Sequence, residues 1–163
     1  MGPVLVVRKG ALASLFGSLG LSYLAAAIGS VGTLNAISGW YADATKPWFT
    51  PPNWAFGPAW TLWYTIMAVA AWQVWRAESR WRRAALWAYG VQLALNALWS
   101  PVFFGARELL LGSVIAGLLA VAVFVTMCLF HLVRKSAGWL LAPYWGWCVF
   151  ATALSIGLLI NNP

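Results

Sequence analysis

Apolar residues dominate the chain in five long runs that are separated by short polar or proline-containing segments. The runs cover approximately residues 11–36, 54–76, 81–104, 109–133 and 138–160. At about 1.5 Å per residue, each run is long enough to cross a hydrocarbon core of roughly 30 Å as a helix. The pattern predicts an all-α integral membrane protein, a single domain over residues 1–163 that is built as a bundle of five transmembrane helices.

The composition excludes a water-soluble domain. Hydrophobic residues make up 63% of the 163 residues and charged residues only 8%, whereas a soluble domain carries roughly a quarter of its residues as charged side chains. Thirteen residues are tryptophan, and aromatic residues reach 16% of the chain. The belts of Trp and Tyr at the two membrane interfaces need fewer aromatic residues than this. The surplus is the first indication of function.

Basic residues predict the orientation of the bundle. Eight of the ten lie before the first span or in the connections after the second and fourth spans, namely Arg8, Lys9, Arg76, Arg80, Arg82, Arg83, Arg134 and Lys135. Only Lys46 and Arg107 lie in the other two connections. The positive-inside rule therefore predicts a cytoplasmic N-terminus and an external C-terminus. A bacterial membrane is the expected location, although the rule itself does not distinguish between membranes. The basic residues form no extended face, so we expect no nucleic-acid partner.

Small residues recur along two of the spans. In the first span they stand four positions apart, at Ser14, Ser18, Ser22, Ala26 and Ser30. Such a ladder predicts close approach of a neighbouring helix. In the third span Ala84, Ala88, Gly90 and Ala94 are a candidate seam for a homodimer.

The connection between the first two spans, about residues 37–53, is about three times the usual length for a helix pair. It is stiffened by proline and is too apolar to extend into water. We interpret it as an outer loop that folds back over the mouth of the bundle as a lid. The lid residues are Trp40, Lys46, Pro47, Trp48, Pro51 and Pro52. For any single tryptophan, an interfacial anchor is the alternative interpretation.

Aromatic side chains also line two of the predicted helices. The second span carries Trp60, Trp63, Tyr64, Met67, Ala71 and Trp75 at helical spacing, and the fifth carries Tyr144, Trp147, Ala151 and Ser155. Such a stripe is more often core packing than a ligand site. In lipid, however, burial of aromatic rings gains helices no hydrophobic advantage, so cores favour small residues. Stacked planar side chains therefore also suit a planar ligand.

Gln92, Asn96 and Trp99 lie on one face of the third span. An unpaired amide in hydrocarbon costs several kcal/mol, so this face is expected to point into the bundle. A hydrogen bond between helices and a contact with a ligand both explain it. Counted along the helices, Asn96 is expected at about the depth of Trp60.

Several classes of function are disfavoured. Within the predicted spans no Asp, Glu, Lys or Arg lies far from the ends, whereas proton-coupled carriers usually embed at least one such residue. His131 stands near the end of its span beside Arg134, and Cys128 and Cys148 lie in apolar runs. We therefore predict no metal site, no disulfide and no acid-base catalytic residues.

The sequence resembles the tryptophan-rich sensory protein and translocator protein family (TspO/MBR), also described as the peripheral-type benzodiazepine receptor family. The matching motifs in the first loop and second span are Trp40, Tyr41, Lys46, Pro47, Pro51, Pro52, Phe56, Trp60 and Tyr64. Those in the third span are Gln92, Leu93, Asn96, Trp99, Phe103 and Phe104. Those in the fifth span are Leu140, Leu141, Pro143, Tyr144, Trp147, Phe150, Ala151 and Leu154.

The resemblance implies a five-helix bundle, often dimeric, that binds porphyrins and other flat hydrophobic ligands, with cholesterol added in animal members. It implies pocket roles for Tyr41, Trp60, Asn96 and Trp147. Ala44, Trp63 and Ser155 depart from the family pattern. No Lys or Arg follows Tyr144, so the sterol motif often cited for the family is unsupported here.

Three hypotheses follow from the sequence. The first is a membrane receptor or translocator that binds protoporphyrin IX, haem or a similar ligand and requires no cofactor. Its predicted ligand-binding residues are Tyr41, Trp60, Tyr64, Asn96, Trp99, Tyr144, Trp147 and Ala151. The second is a light- and oxygen-dependent porphyrin-degrading activity that uses Trp60 and Trp147. The third is a structural or partner-binding membrane protein.

Overall fold

The computed structural model describes the backbone of residues 9–163 and the side chains of residues 10–163 except those at positions 32 and 35. Arg8, which enters the charge argument, lies outside the described residues. Throughout this range the regular secondary structure is helical, and it contains no strand. The helices are α1 (Lys9–Ile37), α2 (Trp40–Asp43), α3 (Asn53–Trp75), α4 (Arg82–Ser100), α5 (Leu109–Val133) and α6 (Lys135–Asn161).

The five long helices agree with the five predicted runs to within a few residues at each end. The third run differs most, because α4 ends at Ser100 and passes into one π-helical turn, Pro101–Gly105. Proline lacks a backbone N–H and its ring crowds the preceding turn of a helix, so a wider turn is a physically reasonable continuation. The pattern gave no sign of α2, because a four-residue helix is too short for a periodicity.

The long helices form a closed ring in the order α1, α4, α5, α6, α3, in which each helix packs against its two neighbours. The predicted ladder of small residues serves two of these contacts. The Ser18 hydroxyl donates to the Ala68 carbonyl on α3 at 2.7 Å, and the Ser22 hydroxyl lies 2.6 Å from the Tyr89 hydroxyl on α4. Small side chains let the backbones approach, and their hydroxyl groups bond across the gap.

The two ends of the ring differ in chemistry. One end, called here the basic end, holds the start of α1 and α6, the end of α3, and the basic residues around Arg76 and Arg134. The opposite end, called the loop end, carries α2, the π-helical turn and the segment 44–52.

Within the described residues, three helices are long and apolar enough to cross a membrane by length and composition, at Gly10–Val31, Leu109–Val133 and Lys135–Asn161. These lie in α1, α5 and α6. In α3 and α4, tryptophan, tyrosine and amide side chains lower the mean hydropathy. Some of them, including Tyr64, Gln92, Asn96 and Trp99, are buried inside the ring.

Candidate functional site

A cavity of about 470 Å³ lies at the loop end, bounded by α1, α2, α3 and α4. The wall formed by α1 consists mainly of small or hydroxyl-bearing residues, including Ala26, Gly29, Ser30 and Thr33. The opposite wall is mainly aromatic and includes Tyr41, Phe56, Trp60, Tyr64, Trp99 and Phe104. We call this space the large cavity. Its volume falls within the range of roughly 300–1,000 Å³ that is usual for small-molecule sites.

The aromatic wall is a connected set of rings. The Trp60 ring centroid lies 6.1 Å from that of Trp99 and 5.8 Å from that of Tyr64, and both pairs are tilted by less than 40°. Phe104 meets Trp99 edge-on, with ring centroids 5.6 Å apart. These separations are those of favourable aromatic pairs, so the rings hold one another in place and present a firm surface to the cavity.

Asn96 supplies an amide at the back of the large cavity. Its Oδ1 accepts a hydrogen bond from the Tyr64 hydroxyl at 2.8 Å, and its Nδ2 donates to the Tyr144 hydroxyl at 2.5 Å. The three side chains come from α3, α4 and α6, so the network ties these helices together. An amide has two N–H groups and two lone pairs on its oxygen. Each half of the Asn96 amide therefore keeps one further hydrogen bond to offer.

Three buried indole N–H groups have no hydrogen-bond partner among the described residues, those of Trp63, Trp99 and Trp147. Trp99 lines the large cavity. A buried donor without a partner costs about 1–3 kcal/mol, so such groups are rare in native structures and call for an explanation. The Trp99 Nε1 atom has almost no accessible surface, so the indole lines the cavity with its ring and not with its N–H group.

A second, small cavity of about 30 Å³ lies on the α6 side of the aromatic wall. Trp147, Ala151 and Ser155 line it together with Pro47 of the loop, and Trp60 and Trp99 separate it from the large cavity. The Trp60 and Trp147 rings meet edge to face, with centroids 6.3 Å apart at an interplanar angle of 88°. In this structure the two rings contact each other and leave no slot for a planar ligand between them.

The segment between α2 and α3 folds over the loop end. The Thr45 amide donates to Asn162 Oδ1 at 2.9 Å, and Asn162 Nδ2 donates back to the Thr45 carbonyl at 3.0 Å. Trp40 Nε1 donates to the Phe104 carbonyl at 3.0 Å. Pro47 is buried against Gly157 of α6, where a Cβ atom would lie only 2.5 Å from Pro47 Cγ. The loop is therefore fixed to α6 and to the π-helical turn.

The predicted lid residues do not all face the bundle. Pro51 is half-buried, but Trp48 is 95% exposed and Pro52 is exposed, so they cover neither cavity. Lys46 bends back instead of reaching out: its ammonium donates to the Ala42 carbonyl at 3.0 Å and lies 4.8 Å from the centroid of the Tyr41 ring. The exposed indole of Trp48 is placed as an interfacial anchor would be.

A second cation at the loop end was not singled out by the sequence. Arg107 has a φ of 58°, in the left-handed region, and its guanidinium lies 5.1 Å from the centroid of the Trp40 ring. Lys46 and Arg107 thus cover the outer side of the neighbouring rings Tyr41 and Trp40. Burial raises the pKa of the Tyr41 hydroxyl, which is therefore neutral at physiological pH and able to donate a hydrogen bond.

The large cavity opens sideways between α1 and α3. Three of its lining residues are exposed on the outside of the ring, Tyr23 by 40%, Leu34 by 71% and Trp54 by 77%. The loop covers the end of the bundle, so the opening faces the direction in which the surrounding lipid would lie.

The structure brings together five of the eight predicted ligand-binding residues, Tyr41, Trp60, Tyr64, Asn96 and Trp99, in the large cavity. Trp147 and Ala151 line the small cavity instead. Tyr144 lines neither cavity, because its ring is fully buried behind Trp63 and its hydroxyl is bonded to Asn96. In this structure its contact is with Asn96 and not with the cavity.

Sequence reasoning missed the wall contributed by α1. Ala26 and Ser30 were noticed as members of the ladder and were assigned to helix packing. In the structure the C-terminal part of the ladder, Ala26 and Ser30, borders the large cavity together with Gly29 and Thr33. Small residues opposite large aromatic residues are a signal of this arrangement, since short side chains leave space that the facing rings do not fill.

A ring of apolar helices around a cavity with an aromatic wall defines a helical membrane protein. A sequence profile described as the TspO/MBR family matches residues 18–160, and the chain belongs to this family of membrane proteins.

Three relatives illustrate the breadth of the family. The chain is 40% identical to the tryptophan-rich protein TspO of Archaeoglobus fulgidus over 82% of this chain and 87% of the relative. It is 38% identical to the tryptophan-rich sensory protein of Cereibacter sphaeroides, over 89% of this chain and 92% of that protein. It is 36% identical to the human translocator protein, over 76% of this chain and 75% of the human protein.

Proposed function

We propose that the protein is a membrane receptor or translocator that binds porphyrins, such as protoporphyrin IX or haem, and similar flat hydrophobic ligands in the large cavity. The observation that carries this proposal is the wall formed by Trp60 and Trp99, which stands opposite small residues of α1 across the large cavity. Flat apolar rings supply stacking and enclosure, while the few polar groups orient the ligand.

In the proposed complex the ligand plane lies between α1 and the aromatic wall. The Asn96 amide and the hydroxyl groups of Tyr41, Ser30 and Thr33 are among the hydrogen-bonding groups of the residues that line the cavity. Trp147 supports Trp60 from behind and does not touch the ligand. Hydrophobic ligands reach the cavity through the opening between α1 and α3, so they need not leave the bilayer.

We further propose that all five long helices cross the membrane, with the basic end in the cytoplasm. Helix α3 closes the ring between α1 and α6, and α4 closes it between α1 and α5. The 23 residues of α3 reach about 34 Å at 1.5 Å per residue. Six basic residues lie between residues 76 and 135 at the basic end, whereas Lys46 and Arg107 lie at the loop end. This distribution supports the orientation by the positive-inside rule.

A homodimer through α4 fits the outer surface of the ring. The candidate seam residues Ala84, Gly90 and Ala94 are exposed, and a Cβ atom at Gly90 would meet no atom within 4 Å. Close packing of two copies would use the surface that these small residues of α4 form. Replacement of Gly90 by leucine is expected to shift the protein toward the monomer in detergent, as measured by light scattering.

A light-driven degradation of bound porphyrin is the second candidate, favoured by the edge-to-face contact of Trp60 with Trp147. The excited porphyrin would take one electron from Trp60 and pass it to oxygen, which becomes superoxide and is the oxidant for the porphyrin ring. The Trp60 radical cation that remains could share its charge with the adjacent indole of Trp147. Illumination of the complex in air separates the candidates. The reaction is supported if porphyrin absorption is lost more slowly in Trp147→Phe than in the unaltered protein. Loss at the same rate in these two proteins argues against the reaction.

The proposed binding is tested by titration of the purified protein in nanodiscs with protoporphyrin IX, followed by tryptophan fluorescence and thermal unfolding. Saturable quenching, together with a rise in the unfolding temperature that grows with ligand concentration, is expected from binding to the native state. Linear quenching with no change in the unfolding temperature would overturn the proposal.

A further inference from the structure

A third cavity lies at the basic end, far from the aromatic site. It has a volume of about 280 Å³ and is lined by Trp72, Gln73 and Arg76 at the end of α3 and by Arg134 and Ser136 at the start of α6. We call it the basic cleft. Two guanidinium groups, a carboxamide and a hydroxyl on five lining residues make it the most polar of the three cavities.

The walls of the basic cleft are held in position by contacts on both sides. The Ser136 hydroxyl donates to Gln73 Oε1 at 2.6 Å, which joins α6 to α3 and leaves the Gln73 NH₂ group as a donor. The Arg76 guanidinium lies 4.9 Å from the centroid of the Trp72 ring. Trp72 in turn donates through Nε1 to the Ala11 carbonyl of α1 at 2.9 Å. Arg76 therefore stands on a ring that is itself fixed.

The side chains of the cleft make it positively charged. Arg76 and Arg134 contribute full charges. The start of α6 brings a partial positive charge and the end of α3 a partial negative charge to the same cleft, so the two arginines decide its sign. The chain has only three acidic residues, of which Asp43 and Glu108 belong to the loop end and Glu78 alone belongs to the basic end. The arginines consequently outnumber the carboxylates that could neutralise them.

The chemistry of these groups matches a phosphate. Guanidinium groups form paired, charge-assisted hydrogen bonds with phosphate oxygens. The phosphodiester of a phospholipid has two non-bridging oxygens that share one negative charge, so one oxygen can meet Arg76 on α3 while the other meets Arg134 on α6.

The position of the cleft indicates where the phosphate comes from. Trp75, Trp139 and Trp81 lie at the same end of the ring and are 60%, 69% and 38% exposed, as residues of an interfacial aromatic belt are. The cleft therefore lies at the depth of lipid headgroups. Basic pockets at this depth bind the headgroups of anionic lipids.

We infer that the basic cleft is a binding site for a phosphate group, supplied by the headgroup of an anionic phospholipid. The phosphate lies between Arg76 and Arg134, while the acyl chains extend along the outside of α3 and α6. The site is separate from the large cavity, so this inference does not depend on the ligand proposed there.

Native mass spectrometry of the protein in an uncharged detergent tests the inference. The probes are phosphatidylglycerol and phosphatidylcholine with identical acyl chains. We expect one phosphatidylglycerol to bind about tenfold more tightly than phosphatidylcholine, and Arg76→Gln or Arg134→Gln to abolish most of that preference. The matched control is Arg83→Gln, which removes an exposed charge at the same end but outside the cleft.

Inorganic phosphate, added as a competitor, distinguishes the source of the group. Displacement of the bound lipid supports a site that also accepts soluble phosphate compounds, and retention supports a site for lipid headgroups. Equal binding of the two lipids would overturn the inference, as would an equal loss in Arg83→Gln, because the preference would then reflect net charge alone. Thermal unfolding in the same detergent verifies that each variant is folded.

Discussion

Trp60 and Trp99 lie with their ring centroids 6.1 Å apart, and both rings line the large cavity on one side and the small cavity on the other. The two indoles are therefore a partition between two spaces. One face of the partition is available to a ligand, and the other is supported by α6. This relationship explains why tryptophan is needed at these positions in a protein whose interfacial belts are already supplied elsewhere.

Removal of one half of the partition is expected to weaken ligand binding. Trp60→Leu should raise the dissociation constant for protoporphyrin IX about tenfold, because it deletes an aromatic contact and loosens Tyr64 and Trp99. Trp60→Phe keeps an aromatic face and should cost less. Trp75→Leu, at an exposed tryptophan of the basic end, is the control. Equal affinities for Trp60→Leu and Trp75→Leu would contradict the assigned role of Trp60.

The network around Asn96 is expected to contribute to stability as well as to the site. Tyr144→Phe removes the acceptor of the Asn96 Nδ2 bond and should lower the free energy of unfolding by about 0.6–2 kcal/mol, the range for hydrogen bonds between membrane helices. The measurement is thermal unfolding in detergent without ligand.

Tyr23→Phe provides the comparison for this substitution. The Tyr23 hydroxyl is bonded to Thr65 at an exposed position, where its loss should change stability less. A loss in Tyr144→Phe that is no greater than in Tyr23→Phe would show that the buried network is not a stabilising feature.

Docking of the loop depends on the lack of a side chain at Gly157. Gly157→Ala would place a Cβ atom 2.5 Å from Pro47 Cγ, so the loop must move or α6 must yield, at a cost of about 1–3 kcal/mol. Faster amide hydrogen exchange over residues 44–52 and a lower unfolding temperature are expected.

Gly146→Ala is the matched control for this prediction, because it lies on the same helix and its Cβ atom would meet nothing within 4 Å. It should leave exchange in the loop unchanged. If Gly157→Ala and Gly146→Ala behave alike, the contact between Pro47 and α6 does not hold the loop in place.

Much of the fold could be predicted from the pattern of apolar residues, since each of the five runs became one long helix. In a bilayer, apolarity over some twenty residues fixes a helix because all backbone groups must be bonded internally. The arrangement of the ring could not be predicted in this way. It depends on contacts such as Ser18 with Ala68 and Ser22 with Tyr89, which join residues far apart in sequence.

The site was predicted where residue chemistry alone is informative. Asn96 and Trp60 stood out because an amide and an indole are costly or unusual inside a bundle, and the structure brings both to the large cavity. Tyr144 and Trp147 have the same chemistry, but their positions on α6 place them behind the wall. Which side of a ring an aromatic residue faces is decided by helix rotation, and a single sequence does not report it.

The most direct test of the central claim compares the two sides of the partition. Ala26→Phe fills the large cavity from α1, and Ala151→Phe fills the small cavity from α6, with the same change in side-chain volume. Both variants are titrated with protoporphyrin IX in nanodiscs. We expect the dissociation constant to rise at least tenfold in Ala26→Phe and to remain nearly unchanged in Ala151→Phe. The opposite result, with Ala151→Phe blocking the ligand and Ala26→Phe binding it normally, would contradict the assignment of the large cavity as the site.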